Sequence, residues 1–406
     1  MTLGKQLKIG VDIMKFEDMN IEKEVLGSLN HIGFEQPTRI QCETIPLIKQ
    51  GYDVIGQSET GSGKTAAFGI PLVEKVAKGG KIQALVLTST RELALQIAVN
   101  LKEFSRLKGL HVQTVYGGVS MGPQIEGLRK AEIVVGTPGR ILDHMQRGNL
   151  DLDNLKIFVL DEADKMIDMG FIEDIERIER NIPKNRQTLL FSATMPYSLE
   201  RIKERFTRNA KKIKTKIKVE ESVLKQYYCN IDYKRKFSLL VRLIEKEKPN
   251  LAIIFCNSRR DADLVSRNLQ NNGINAAVLH GGLSQQRRES VMESFHKGIT
   301  RFLVATDVAA RGLDIKNVTH IFNYNIPKDA EEYTNRIGRT ARAGQSGKAI
   351  SLLVKDDHDS LRRIITNFSY NIEKMEIPDL RLLPFDNRYF RSRNSRNFGK
   401  RTRRFR

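Results

Sequence analysis

Scarcity narrows the class of this chain first. Only three cysteines occur, Cys42, Cys229 and Cys256, far apart and with no CxxC pair. That excludes a disulfide framework and a cysteine-built zinc site, and it fits a reducing cytoplasm. Prolines number 11 and hydrophobic residues make up 40%, so the sparse apolar composition of a disordered chain is missing. No apolar run approaches the roughly 20 residues that cross a bilayer. The start, Met1 to Phe16, scatters Lys5, Lys8, Asp12 and Lys15 and has no apolar signal-peptide segment, so neither membrane insertion nor secretion is expected. A length of 406 residues, against about 150 for a common domain, argues against one compact core.

Positive charge is plentiful. Lys and Arg total 68 against 48 acidic residues, a net charge of +20. Such an excess favours a polyanionic partner, most simply nucleic acid. Nine of the basic residues fall between Asn387 and Arg406, where no acidic residue occurs. Mutual repulsion without aliphatic residues predicts a disordered tail there. Tyr389, Phe390, Phe398 and Phe405 interleave the arginines and suit stacking on unpaired bases. A second basic run, Lys203 to Lys218, is followed by Glu220-Glu221 and reads as a helix end passing into a linker.

Between these markers, short β-rich apolar runs alternate with longer amphipathic stretches. The first half has Ile82–Thr88, Val112–Tyr116, Ile133–Val135, Ile157–Leu160 and Thr188–Ser192. The second has Leu251–Cys256, Ala276–Leu279, Phe302–Ala305, His320–Asn323 and Ala349–Val354. Alternation of this kind predicts βαβ units and buried parallel sheets. The expected organisation is an α/β lobe over 1–206, a basic linker over 207–221, a second α/β lobe over 222–370 and an Arg-rich tail over 371–406.

Ser58-Glu59-Thr60-Gly61-Ser62-Gly63-Lys64-Thr65 follows the strand-like Asp53-Val54-Ile55 and precedes the helix-like Ala66–Lys78. Strand, glycine-rich turn and helix is the context of a phosphate loop. Glycines let successive N–H groups converge on one anion, and the helix N-terminus adds its dipole. Lys64 would reach the β- and γ-phosphates, and the Thr65 hydroxyl would ligate Mg²⁺. The strict pattern wants glycine where Ser58 stands. A second carboxylate for the metal comes from Ile157-Phe158-Val159-Leu160, which runs straight into Asp161-Glu162-Ala163-Asp164. Asp161 at the strand tip suits the Mg²⁺ and Glu162 the attacking water.

Asp161-Glu162-Ala163-Asp164 resembles the tetrapeptide that names the DEAD-box RNA helicases, and other motifs of that family follow in order from about Phe16 to Val354. Phe16, Gly33-Phe34, Pro37-Thr38 and Ile40-Gln41 resemble its adenine-reading motif, with Phe16 implied to stack on the base and Gln41 to select ATP. Thr90-Arg91-Glu92-Leu93-Ala94, Gly117-Gly118 and Thr137-Pro138-Gly139-Arg140 resemble first-lobe RNA contacts. Ser192-Ala193-Thr194, with Asp164, resembles the element that couples hydrolysis to strand separation. In the second lobe the resemblance covers Ile254-Phe255-Cys256-Asn257, Gln285 with Arg288, Ala305-Thr306-Asp307, Arg311-Gly312-Leu313-Asp314 and Arg336-Ile337-Gly338-Arg339-Thr340-Ala341-Arg342.

That resemblance implies two RecA-like lobes that close over ATP–Mg²⁺ and single-stranded RNA. Gly312 and Asp314 belong to its nucleotide set, and Gln285, Arg288 and Thr306 to its RNA set. Arg339 and Arg342, three apart and so expected on one helical face, are implied to be arginine fingers. Backbone and side-chain donors to phosphates position a strand without reading bases. Local unwinding of short duplexes is the activity implied. An ATP-dependent RNA clamp with little unwinding and a double-stranded DNA translocase are the alternatives. Glu162, Arg339 and Arg342 argue against the first, and Gln41 with Ser192-Ala193-Thr194 against the second. Two positions depart from the family pattern: Ser89 stands where proline is usual, and Asn335 where histidine is usual.

Overall fold

The computed structural model describes residues 14–58, 61–195, 197–215, 224–310, 317–341, 346–368 and 371–388. Glu59, Thr60, Gly312, Asp314 and Arg342 lie outside the described residues, as do residues 216–221 of the expected linker and the tail from 389 onward. Two compact units emerge, one ending at Val219 and the next beginning at Glu220.

The first unit is built on seven strands: β1 (Val54–Gln57), β2 (Ala84–Thr88), β3 (Val112–Val115), β4 (Ile133–Gly136), β5 (Ile157–Asp161), β6 (Gln187–Ser192) and β7 (Lys211–Lys214). They pair in parallel in the order β3-β4-β2-β5-β6-β1-β7. Their apolar runs are continuous because both sheet faces are covered. Ile157 and Val159 enter one hydrophobic core while Phe158 and Leu160 enter the other, the two-residue period of a strand expressed on two buried sides.

The second unit repeats the plan with β8 (Leu224–Asn230), β9 (Ala252–Phe255), β10 (Ala276–Leu279), β11 (Phe302–Ala305), β12 (His320–Asn323), β13 (Gly347–Leu353) and β14 (Glu373–Lys374). These also pair in parallel, in the order β10-β11-β9-β12-β13-β8-β14. The fold is the α/β pair of RecA-like lobes that the motifs imply.

Two boundaries move. Residues 211–214, expected in the linker, form the edge strand β7 beside β1. Lys211, Lys212 and Lys214 are exposed and only Ile213 packs inward, so no apolar period marks the strand, and lysines on an edge discourage further pairing. Residues 371–388, expected in the tail, belong to the second unit. Met375 N donates to Tyr228 O at 2.8 Å and Leu383 N to Ser238 Oγ at 3.0 Å. Asp386 N donates to Asn268 Oδ1 at 2.8 Å, and the Phe385 ring centroid lies 5.1 Å from that of Phe237.

Candidate functional site

Parallel strands deliver their carboxyl ends to one edge of a sheet, where ligands of such sheets bind. In the first unit the register aligns those ends: Gln57 opposite Ser192, Phe191 opposite Asp161, Asp161 opposite Thr88, and Leu87 and Val115 both opposite Gly136. First-unit residues expected to hold the phosphates and metal therefore follow β1 and β5, and those expected to couple hydrolysis lie at the ends of β5 and β6. Those expected to touch RNA follow β2, β3 and β4. One sheet edge carries all three sets side by side.

After β1 the chain turns through Gly61 and Gly63, with φ of 88° and 91°, into the helix Lys64–Lys75. Both angles lie in the left-handed region, and a Cβ on Gly63 would stand 2.4 Å from Gln41 Nε2, so only glycine fits there. Gln41 Nε2 donates to Gly63 O at 3.0 Å while its Oε1 accepts from Thr38 N at 2.8 Å. Thr38 Oγ1 donates to Ser62 O at 2.8 Å. The expected base reader is thus tied to the phosphate loop itself. Lys64 is buried, and its Nζ donates to Ser58 O at 2.6 Å. Ser58, the departure from the glycine pattern, is held on both sides. Its N donates to Ser192 O at 3.0 Å, and its hydroxyl accepts from Thr215 Oγ1 at 2.9 Å. Among the described residues the buried Ser62 hydroxyl has no hydrogen-bond partner, as suits a group reserved for an anion.

Phe16 differs from its expected role. Its ring is 2% exposed and packs on Phe34 at 5.9 Å within the core, so in this structure it braces the segment leading to Gln41 and offers no face to a base.

β5 ends in Asp161, whose burial pushes its carboxyl up to about 7 although Lys64 beside it pulls the other way. A carboxylate held out of water this way favours a neighbouring cation. Among the described residues no group of three or more His, Cys, Asp or Glu could cage a metal. The donor set of Asp161 and the Thr65 hydroxyl fits Mg²⁺ that takes its remaining ligands from phosphates and water. Glu162 adopts the left-handed conformation, φ 53° and ψ 47°, at the start of the helix Ala163–Asp168. Asp164 Oδ2 accepts from Thr194 N at 2.9 Å and from Thr194 Oγ1 at 2.8 Å. Ser192 Oγ donates to Thr194 O at 2.7 Å. Asp164, Ser192 and Thr194, expected to act together, form one hydrogen-bonded cluster at the ends of β5 and β6.

On the RNA side, Gly118 has φ 86°, and a Cβ there would come within 2.2 Å of Arg91 Nη1. The glycine pair after β3 lets the guanidinium that follows β2 lie against the backbone. Thr137 N donates to Val115 O at 3.0 Å and opens the helix Pro138–Gln146, which carries Gly139 and Arg140. Arg140 Nη1 donates to Val119 O at 3.2 Å.

In the second unit Thr306 follows β11, while Gln285 and Arg288 open the helix Gln285–His296 after β10. Arg339 is buried, with Nε donating to Asn335 O at 3.3 Å. The expectation that Arg339 shares a helical face with position 342 does not hold. The helix Ala330–Ile337 ends before Arg339, and Ala341 has φ 55°, so the chain has left the helix. The sequence also gave no role to Arg336. It is 1% exposed, forked onto Asp307 at 2.6 and 2.7 Å, and it donates to Asn257 Oδ1 at 2.9 Å and Asn325 O at 2.6 Å. A hub joining three loops has no signal in a single sequence beyond the polar residues themselves.

Comparison with known proteins bears on the same residues. The family model described as DEAD/DEAH box helicase matches residues 38–202, and that of the helicase conserved C-terminal domain matches 235–344. A DEAD-box ATP-dependent RNA helicase CshA of Geobacillus kaustophilus is 47% identical over 369 residues, spanning 90% of this chain and 79% of that protein. CshA of Bacillus subtilis is 45% identical over 368 residues, 90% of this chain and 74% of that one. The structure of S. cerevisiae Dbp5 bound to RNA and ADP BeF3 superposes with a TM-score of 0.82 at 31% identity, covering 89% of this chain and 95% of that one.

Proposed function

The chain belongs to the DEAD-box helicase family, and on that premise we propose an ATP-dependent RNA helicase that separates short duplexes locally through RNA-stimulated ATP hydrolysis. Gln41 reads the adenine edge. Ser58 to Thr65 cradles the phosphates, with Lys64 on the β- and γ-oxygens. Thr65 and Asp161 hold Mg²⁺, which when bound neutralises phosphate charge. Glu162 takes the proton of the attacking water. Arg339 and Arg342 supply positive charge to the γ-phosphoryl transition state. Gly312 and Asp314 complete the nucleotide set. Arg91, Gly117, Gly118, Thr137, Gly139, Arg140, Gln285, Arg288 and Thr306 hold the RNA backbone, and base-independent contacts of this kind predict little sequence preference. The cysteine pattern supports placement in the cytoplasm.

The observation that carries the reading is the clasp between Asp164 and Thr194. It ties the tetrapeptide beside the water-activating carboxylate to the end of β6, so a change at the γ-phosphate has a direct path to the neighbouring strand. ATPase rates without nucleic acid, with RNA and with DNA test it, together with displacement of a short RNA duplex. RNA-specific stimulation with displacement is expected; equal stimulation by DNA, or stimulation without displacement, would reject the assignment.

A further inference from the structure

We propose that Ser89 is a positioning residue for hydrolysis, its hydroxyl holding the Glu162 carboxylate. The parallel register of β2 and β5 sets Thr88 opposite Asp161, so the next residue of each strand, Ser89 and Glu162, leaves the sheet edge beside the other. Ser89 Oγ donates to Glu162 Oε2 at 2.9 Å. Both residues are shielded from water, Ser89 at 2% and Glu162 at 9% exposure, so solvent does not compete for the bond. Hydrogen bonds to a charged acceptor are the stronger kind, and burial strengthens them further. The backbone at Glu162 is left-handed, a conformation that a residue with a Cβ keeps only where its surroundings enforce it. Ser89 fixes the other end of the same side chain. Backbone and carboxylate are both set before nucleotide arrives, leaving the second oxygen to meet water.

A proline at this position offers no hydroxyl. The departure at Ser89 therefore adds a hydrogen bond to Glu162 that proline could not make.

The inference rests on the role proposed for Glu162. Its test is steady-state and single-turnover ATPase at saturating RNA on Ser89→Ala, Glu162→Gln and the double variant of the full chain. Ser89→Ala should lower kcat roughly tenfold, as expected for losing one hydrogen bond to a charged group, with KM for ATP within about twofold of the parent. In the Glu162→Gln background the same change should have no further effect, since residues acting through one another are not additive. An unchanged or higher kcat for Ser89→Ala, a parallel rise in KM, or an equal loss in both backgrounds would overturn the positioning role. Undiminished hydrolysis by Glu162→Gln would instead overturn the proposed base, so the two failures are distinguishable.

Discussion

At the scale of single residues, Lys64 and Glu162 separate binding from chemistry. Lys64 faces groups charged already in the ground state, whereas Glu162 acts on water only as the transition state forms. Lys64→Ala should abolish ATP binding. Glu162→Gln should keep it and release RNA slowly in ATP, measured as a dissociation rate; equal release from both variants contradicts the assignment of Glu162. Gly118 makes a second distinction. A methyl there collides with the Arg91 guanidinium at 2.2 Å on a backbone of φ 86°. Gly118→Ala should weaken RNA affinity about tenfold or more by displacing Arg91, at roughly the 1–3 kcal/mol of a strained backbone position. ATP affinity, set at β1 and β5, should not move, and RNA and nucleotide titrations read the two separately.

At the scale of elements, the buried Arg336 fork holds the loops after β9, β11 and β12 together. Removing one partner of such a pair strands the other charge, at about 3–5 kcal/mol. Asp307→Ala should therefore lower the unfolding free energy of the second unit by that amount, read by chemical unfolding as a fall in the denaturant midpoint at unchanged m. The segment after β14 makes a milder prediction. Leu380, Leu383 and Phe385 lie partly buried against the second core. Ending the chain before Met375 should destabilise the unit by about 2–3 kcal/mol, the burial of one or two apolar side chains. Ending it after Arg388 should leave the melting temperature in place.

At the scale of the whole molecule, the charge excess has a separable part. Residues 389–406 contain eight basic residues and no acidic one. Deleting them should weaken RNA binding while sparing the ATPase rate at saturating RNA, which depends on the two lobes. Each phosphate neutralised on a single strand adds about 0.7 to the slope of log affinity against log salt. Engagement of about half of the eight would flatten that slope by about 3 on truncation. The Debye length near 0.15 M is already about 8 Å, so the defect should be largest in dilute buffer. Coincident slopes for the full and truncated chains would remove the tail from RNA binding.

The sequence by itself determined the two parallel-sheet lobes, because strands buried on both faces are written as continuous apolar runs such as Ile157–Leu160. It also determined the phosphate loop and the Asp161–Asp164 tetrapeptide, because each needs particular residue types at short spacing. Tertiary structure decided what spacing cannot express. Ser89 meets Glu162 across 73 positions only through the register of β2 and β5. Gln41 reaches Gly63 only because a glycine at φ 91° admits its amide. β7 carries a single apolar residue, Ile213, and the apolar residues of 371–388 are irregularly spaced, so neither shows a period; both join their sheets and cores through partners far along the chain. Local chemistry is encoded by neighbours in sequence; the pairing of one strand end with another is encoded only by the packing that sets register.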